Sequence, residues 1–124
     1  METKDVLGAL SALSQEHRLA AFRLLLEHAP HGLPAGVIAE RMSLAPATLS
    51  FHLKELLHAG LVASRQDGRF VWYRADLDRM NQLVAYLTDN CCRANAVCAV
   101  VCAPASAPAS PAVPLSPRRT RRTA

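Results

Sequence analysis

The sequence predicts a mainly α fold with a small β-hairpin, in the α-α-α-α-β-β-α order of a winged helix-turn-helix. Three observations predict it. Apolar residues recur at spacings of three and four through most of the first ninety residues. Only Ser43-Leu44-Ala45 separates two short helical segments. Two strand-like runs then flank Asp67-Gly68, a strong hairpin signal.

Each element has its own signal. Val6, Leu7, Leu10 and Leu13 give residues 3–13 an apolar helical stripe. Ser14 is the expected cap of a second helix over residues 15–28, with Leu19, Phe22 and Leu26 on one face. Pro30, Gly32 and Pro34 force a break. A third helix is expected from about Ala35 to Met42, with Val37, Ile38 and Met42 inward. Pro46 suits the first position of a fourth, because the N–H it lacks is one that a helix start leaves unbonded. That helix runs to about His58 and ends at Gly60, with Leu49, Leu53, Leu56 and Leu57 as its buried stripe. Strands are expected over Leu61–Gln66 and Phe70–Ala75. From Leu77 the pattern is helical again: Leu77, Met80, Val84, Leu87 and Cys91 follow at spacings of three and four.

At 124 residues and 51% hydrophobic, the chain supports one domain with a core. The expected boundary lies at residue 102. Residues 103–124, APASAPASPAVPLSPRRTRRTA, are Pro/Ala-rich without an apolar period and are expected to be a disordered tail. Residues 1–102 hold ten Lys+Arg and ten Asp+Glu, so the net +4 comes wholly from Arg118, Arg119, Arg121 and Arg122. Overall basicity is therefore a poor argument for any partner. The distribution is more telling: residues 41–74 hold five basic and two acidic residues. No apolar run is long enough to span a membrane, and the start, Met1-Glu-Thr-Lys-Asp, is acidic where a signal peptide is basic. A cytoplasmic protein with no membrane partner is expected, and thiols stay reduced there.

The helix-turn-helix order points to double-stranded DNA, since an α-helix fits the major groove and reads base edges there. With the leucine stripe inward, the fourth helix is expected to present Ala47, Thr48, Ser50, Phe51, His52, Lys54 and Glu55. The wing carries Arg65 and Arg69, with Tyr73 and Arg74 following, suited to backbone or minor groove. Any one of these alone reads equally well as a solvated face; their order and spacing together favour DNA. One helix reads too few base pairs to specify a site, whereas a two-fold homodimer reads two symmetric half-sites about 34–36 Å apart. The stripes Val6/Leu10/Leu13 and Leu77/Met80/Val84/Leu87 are the expected dimer interface.

The stretch LAPATLSFHLKEL at residues 44–56, followed by His58-Ala59-Gly60-Leu61-Val62, resembles the ArsR (arsenical-resistance repressor) family. Ser14-Gln15-Glu16-His17-Arg18-Leu19 and the wing RQDGRFVWYR at residues 65–74 are similar to that family's second helix and hairpin. The resemblance covers roughly residues 4–92. It implies a homodimer through the first and last helices that represses transcription until an inducer binds.

Cys91, Cys92, Cys98 and Cys102 fall within twelve residues. Soft thiolates select thiophilic ions. Zinc accepts four cysteines, but its structural sites usually pair C-x2-C units. Trivalent arsenic or antimony takes three thiolates in a trigonal pyramid. On an unbroken helix Cys91 and Cys98 would lie about 10.5 Å apart along the axis, too far for one ion. A site of Cys91, Cys92 and Cys98 therefore needs the helix to end or loop back after Cys92, with Asn90 and Asn95 as places for the break.

One arsenic-sensing type in the family carries a C-x-C-x2-C site that Leu33-Pro34-Ala35-Gly36-Val37 lacks. The zinc-sensing branch needs a histidine that residues 76–90 lack. A third type has a vicinal pair and a third cysteine six residues further on. Its likeness implies arsenite bound by Cys91, Cys92 and Cys98, while Cys102 is either a spare thiol or part of another trio. Small apolar packing, a thiol-redox switch, and methylated arsenicals needing two thiolates are the other readings. No anion-binding loop surrounds the cysteines as a thiol enzyme would require, and a metal buffer would not use the helix-turn-helix. The expected function is a non-enzymatic DNA-binding repressor released by arsenite or antimonite, the alternative being a redox-sensing regulator.

Overall fold

The computed structural model describes residues 1–94. Five α-helices and three strands follow in the order α1 (Thr3–Leu13), α2 (Glu16–Glu27), β1 (Leu33–Pro34), α3 (Ala35–Met42), α4 (Pro46–His58), β2 (Val62–Asp67), β3 (Phe70–Ala75) and α5 (Leu77–Thr88). The expected mainly helical winged order is present. The expected tail at 103–124 lies outside the described residues.

Helix starts and stops follow local chemistry. The Asp5 carboxylate accepts from the Glu2 N–H (3.1 Å) as part of a capping box that begins α1. Ser14 does not cap α2. Its hydroxyl turns back to the Ser11 carbonyl, and Gln15 Oε1 accepts from the Arg18 N–H (2.9 Å) instead. Pro46 opens α4 as expected. The Leu61 N–H returns to the Leu56 carbonyl and the Gly60 N–H to Leu57, a closure that needs the left-handed φ of +78° at Gly60. Arg79 lies against Gly60: a Cβ there would come within 2.9 Å of Nε. The Arg79 guanidinium also sits 3.8 Å from the Asp5 carboxylate, so one side chain of α5 touches both α1 and the end of α4.

Leu25, Ile38, Leu49, Leu53, Leu56 and Leu61 are fully buried. Three come from α4, each contributing about 1.5–3 kcal/mol of burial, so this helix is fixed by the core rather than by its own propensity. Two inward faces differ from expectation. In α1 the buried side chains are Val6, Ala9 and Ala12, while Leu7 and Leu10 stay exposed; small residues let helices approach closely. In α2 they are Ala21, Phe22 and Leu25, and Leu19 is exposed.

The sheet is antiparallel in the order β1-β3-β2. Val62 pairs with Ala75 and Asp67 with Phe70, leaving Gly68-Arg69 as the two-residue loop, one residue later than expected. The third strand was not expected. Leu33 pairs with Tyr73 and Pro34 with Trp72, an edge position that proline tolerates.

Candidate nucleic-acid interface and thiol pair

Helix α4 holds the candidate reading face. Its inward stripe leaves Ala47, Thr48, Ser50, Phe51 and Lys54 exposed. Glu55 is half-buried. His52 departs from the expected face, being only 8% exposed. Its ring centroid lies 5.5 Å from that of His17 on α2, and Nδ1 is buried with no hydrogen-bond partner among the described residues. A side chain so placed supports α4 from behind and does not reach outward to a base.

Burial, then the nearby Arg18 guanidinium and His17, hold the His52 pKa below its ordinary 6.5. Folding therefore favours the neutral ring. Its contribution to stability is whole above pH 6.5 and is lost as pH falls below that value toward the lowered pKa. Denaturant midpoints measured from about pH 7.5 to 5.5 should fall on acidification, and His52→Leu should flatten that fall. An unchanged slope in the variant would rule His52 out as its source.

Pro46, Leu49, Ser50 and Leu53 of α4 share a shallow groove of about 100 Å³ with Ala35, Gly36 and Ala39 of α3 and with Tyr73. Tyr73 is the second departure. Strand alternation places it with the buried Ala75, so its half-buried ring packs against the core. Arg65, Arg69 and Arg74 are exposed on the wing. The Arg65 guanidinium lies 5.4 Å from the Trp72 ring centroid and 3.7 Å from the Asp67 carboxylate. All five basic residues between Arg41 and Arg74 are solvent-exposed.

Leu7, Leu10, Leu77, Val84, Tyr86 and Leu87 are large apolar residues exposed on α1 and α5. Thr3 Oγ1 and the Tyr86 hydroxyl share a 2.6 Å hydrogen bond between the two helices. Among the described residues no helix is long and apolar enough to cross a membrane.

Beyond α5 the expected break comes earlier than expected, before the cysteine pair rather than after it. The helix ends at Thr88, and Asn90 and Cys92 both adopt left-handed φ values of 62°. The Cys91 N–H donates to the Thr88 carbonyl (3.0 Å) and the Arg93 N–H to the Asn90 carbonyl (3.1 Å). On a continuous helix neighbouring side chains diverge by about 100°. This turn instead brings the Cys91 and Cys92 sulfurs to 3.4 Å, both half-buried. Two sulfurs sharing one ion at about 2.3 Å lie roughly 3.4–3.8 Å apart, so the spacing suits a shared soft ion. No group of three or more potential metal ligands occurs among the described residues, and Cys98 and Cys102 lie outside them.

Comparison with known proteins agrees with this architecture. A helix-turn-helix domain family matches residues 13–65. The transcriptional activator HlyU of Vibrio cholerae is 30% identical over 86 residues, covering 69% of this chain and 77% of HlyU. The helix-turn-helix regulators YdfF and YceK of Bacillus subtilis are 39% and 41% identical over 72 and 58 residues. Those matches take 57% and 47% of this chain and span only 31% and 57% of the two regulators. An ArsR-like transcriptional regulator from Rhodococcus superposes with a TM-score of 0.58 at 28% identity, over 68% of this chain and 76% of that one. The homodimeric winged helix-turn-helix DNA-binding domain of a Mycobacterium bovis protein gives 0.58 at 26% identity, over 70% and 81%. With the element order, the α4 stripe and the wing in place, the chain belongs to the ArsR-type family of helix-turn-helix transcriptional regulators.

Proposed function

We propose that the protein is a homodimeric DNA-binding repressor that leaves its operator when trivalent arsenic, or antimony, binds thiolates of its C-terminal region. The observation that carries the DNA reading is the exposed Thr48/Ser50/Lys54 face on a helix locked by three core leucines. The exposed wing arginines supply the sequence-independent attraction to phosphate. The exposed apolar residues of α1 and α5 support a dimer, as does the homodimeric state of the Mycobacterium bovis domain. Two such protomers suit an operator with two-fold symmetry.

The 3.4 Å separation of the Cys91 and Cys92 sulfurs supports the inducer reading, with Cys98 as the third ligand implied by the family resemblance. A soft ion held there reshapes the chain directly after α5, which carries Arg79 against the end of α4. Release needs only a difference in operator affinity between two states. A coupling of about 1–3 kcal/mol gives a 5–150-fold change.

The test is fluorescence anisotropy with a duplex selected by the reduced protein from a randomised pool. Ser50→Ala should weaken binding about five-fold, near 1 kcal/mol for one base-edge hydrogen bond. Lys54→Ala should lower the salt-dependence slope by about one without changing the selected sequence. If no duplex is selected, or if neither variant differs from wild type, the reading of this face is wrong. A reporter whose output rises on arsenite addition tests repression; a fall would make the protein an activator.

A further inference from the structure

We propose that Phe70, at the tip of the β2–β3 wing, is an apolar wedge that enters the minor groove beside each half-site and partly unstacks one base step. The inference rests on the DNA-binding reading above and adds a specificity-determining residue to it.

Register fixes the position. Asp67 pairs with Phe70, so Gly68-Arg69 is the whole loop and Phe70 is the first residue of the returning strand. Alternation turns Val71, Tyr73 and Ala75 toward the core side, where Ala75 is buried and Tyr73 packs. Phe70, Trp72 and Arg74 therefore share the outward face with their cross-strand partners Asp67, Arg65 and Ala63.

Phe70 is 62% exposed, against 4% for Phe22 in the core. The ring stands in water at the hairpin tip, where the register sets it directly after the loop arginine. Its surroundings indicate what covers it. Arg69 precedes it in the loop, Arg65 and Arg74 stand on the same face, and Arg65 accompanies the Asp67 carboxylate at the tip. A protruding ring among cations matches a groove walled by phosphates and floored by base edges. Proteins that bind the minor groove insert phenylalanine between base steps in this way. The cost of unstacking is least at pyrimidine–purine steps, so the wedge reads deformability at positions with no hydrogen-bonded contact.

The experiment uses the full reduced chain and a duplex selected from a randomised pool, with 2-aminopurine placed in turn at each step flanking the half-sites. Wild-type protein should raise the fluorescence several-fold at one step per half-site, and the selected sequences should carry TA or CA/TG there. Phe70→Leu, still an apolar wedge, should keep most of the rise. Phe70→Ser should abolish it and weaken binding about ten-fold while melting like wild type. Tight wild-type binding without any rise, or a Phe70→Ser variant that keeps it, overturns the wedge and leaves the DNA reading standing. If wild type selects no duplex, the DNA reading falls first and takes the wedge with it.

Discussion

Replacing Gly32 by alanine is expected to cost about 3 kcal/mol or more of folding stability, the largest single-methyl effect in this chain. Gly32 is buried and holds φ at +86°, a conformation strained for any residue with a Cβ. Space makes the case worse. The added carbon would run into the Tyr73 carbonyl oxygen and lie 2.8 Å from the Arg74 Cα. Both are backbone atoms of β3, the central strand, so neither yields without disturbing the adjacent Leu33–Tyr73 pair. Gly36→Ala is the control. It adds the same methyl on α3 where nothing lies within 4 Å, and helix propensity should leave it neutral or up to about 1 kcal/mol more stable. Urea unfolding of the two variants beside wild type checks both; a Gly32→Ala midpoint equal to wild type would mean that the β1–β3 junction is not built as described.

The second large effect is functional. Cys91→Ser and Cys92→Ser should each keep operator binding and lose arsenite-induced release. Serine preserves size but replaces a thiolate with a hydroxyl that stays protonated and binds soft ions poorly. The turn after Thr88 is closed by backbone hydrogen bonds from Cys91 and Arg93, so either substitution leaves the local structure its main restraints. The whole coupling, a change of up to about 150-fold in operator affinity, should vanish in each variant. Cys98→Ser separates ligand classes: inorganic arsenite should lose its effect, whereas a methylated arsenical needing two thiolates should keep it. Cys102→Ser should change neither. Anisotropy titrations on the four variants give the answer, and normal release from both Cys91→Ser and Cys92→Ser would place the inducer site elsewhere.

Much of the fold was legible because punctuation residues are local. Pro46 and Gly60 bracket α4 within the sequence itself, and the hairpin turn announces β2 and β3. What escaped depended on distant partners. Leu33-Pro34 becomes a strand only because β3 returns alongside it, and nothing in a Pro/Gly-rich break signals that pairing. His52 was misplaced by residue type. At 100° per residue it lies about 60° from Leu49 and about 40° beyond Leu56, on the side away from Leu57, so helical phase puts it at the edge of the stripe and polarity alone argued for exposure. In α1 the reverse happened: Ala9 and Ala12 go inward and the larger Leu7 and Leu10 stay out, where a second protomer is the proposed cover. The hydroxyls of α4 are exposed as helical phase predicts, and the wing arginines are exposed as well. The geometry of one ion and three sulfurs calls for a break after Cys92; the helix ends instead at Thr88, before the pair, with Asn90, one of the two marked positions, in the turn that follows.

The measurement that tests the account most directly is anisotropy of the fully reduced protein on its selected duplex, titrated with arsenite and, separately, with peroxide. Release is expected at stoichiometric arsenite, with reversal by excess dithiol and no release by peroxide. Binding that persists through excess arsenite, or release by peroxide alone, would contradict it.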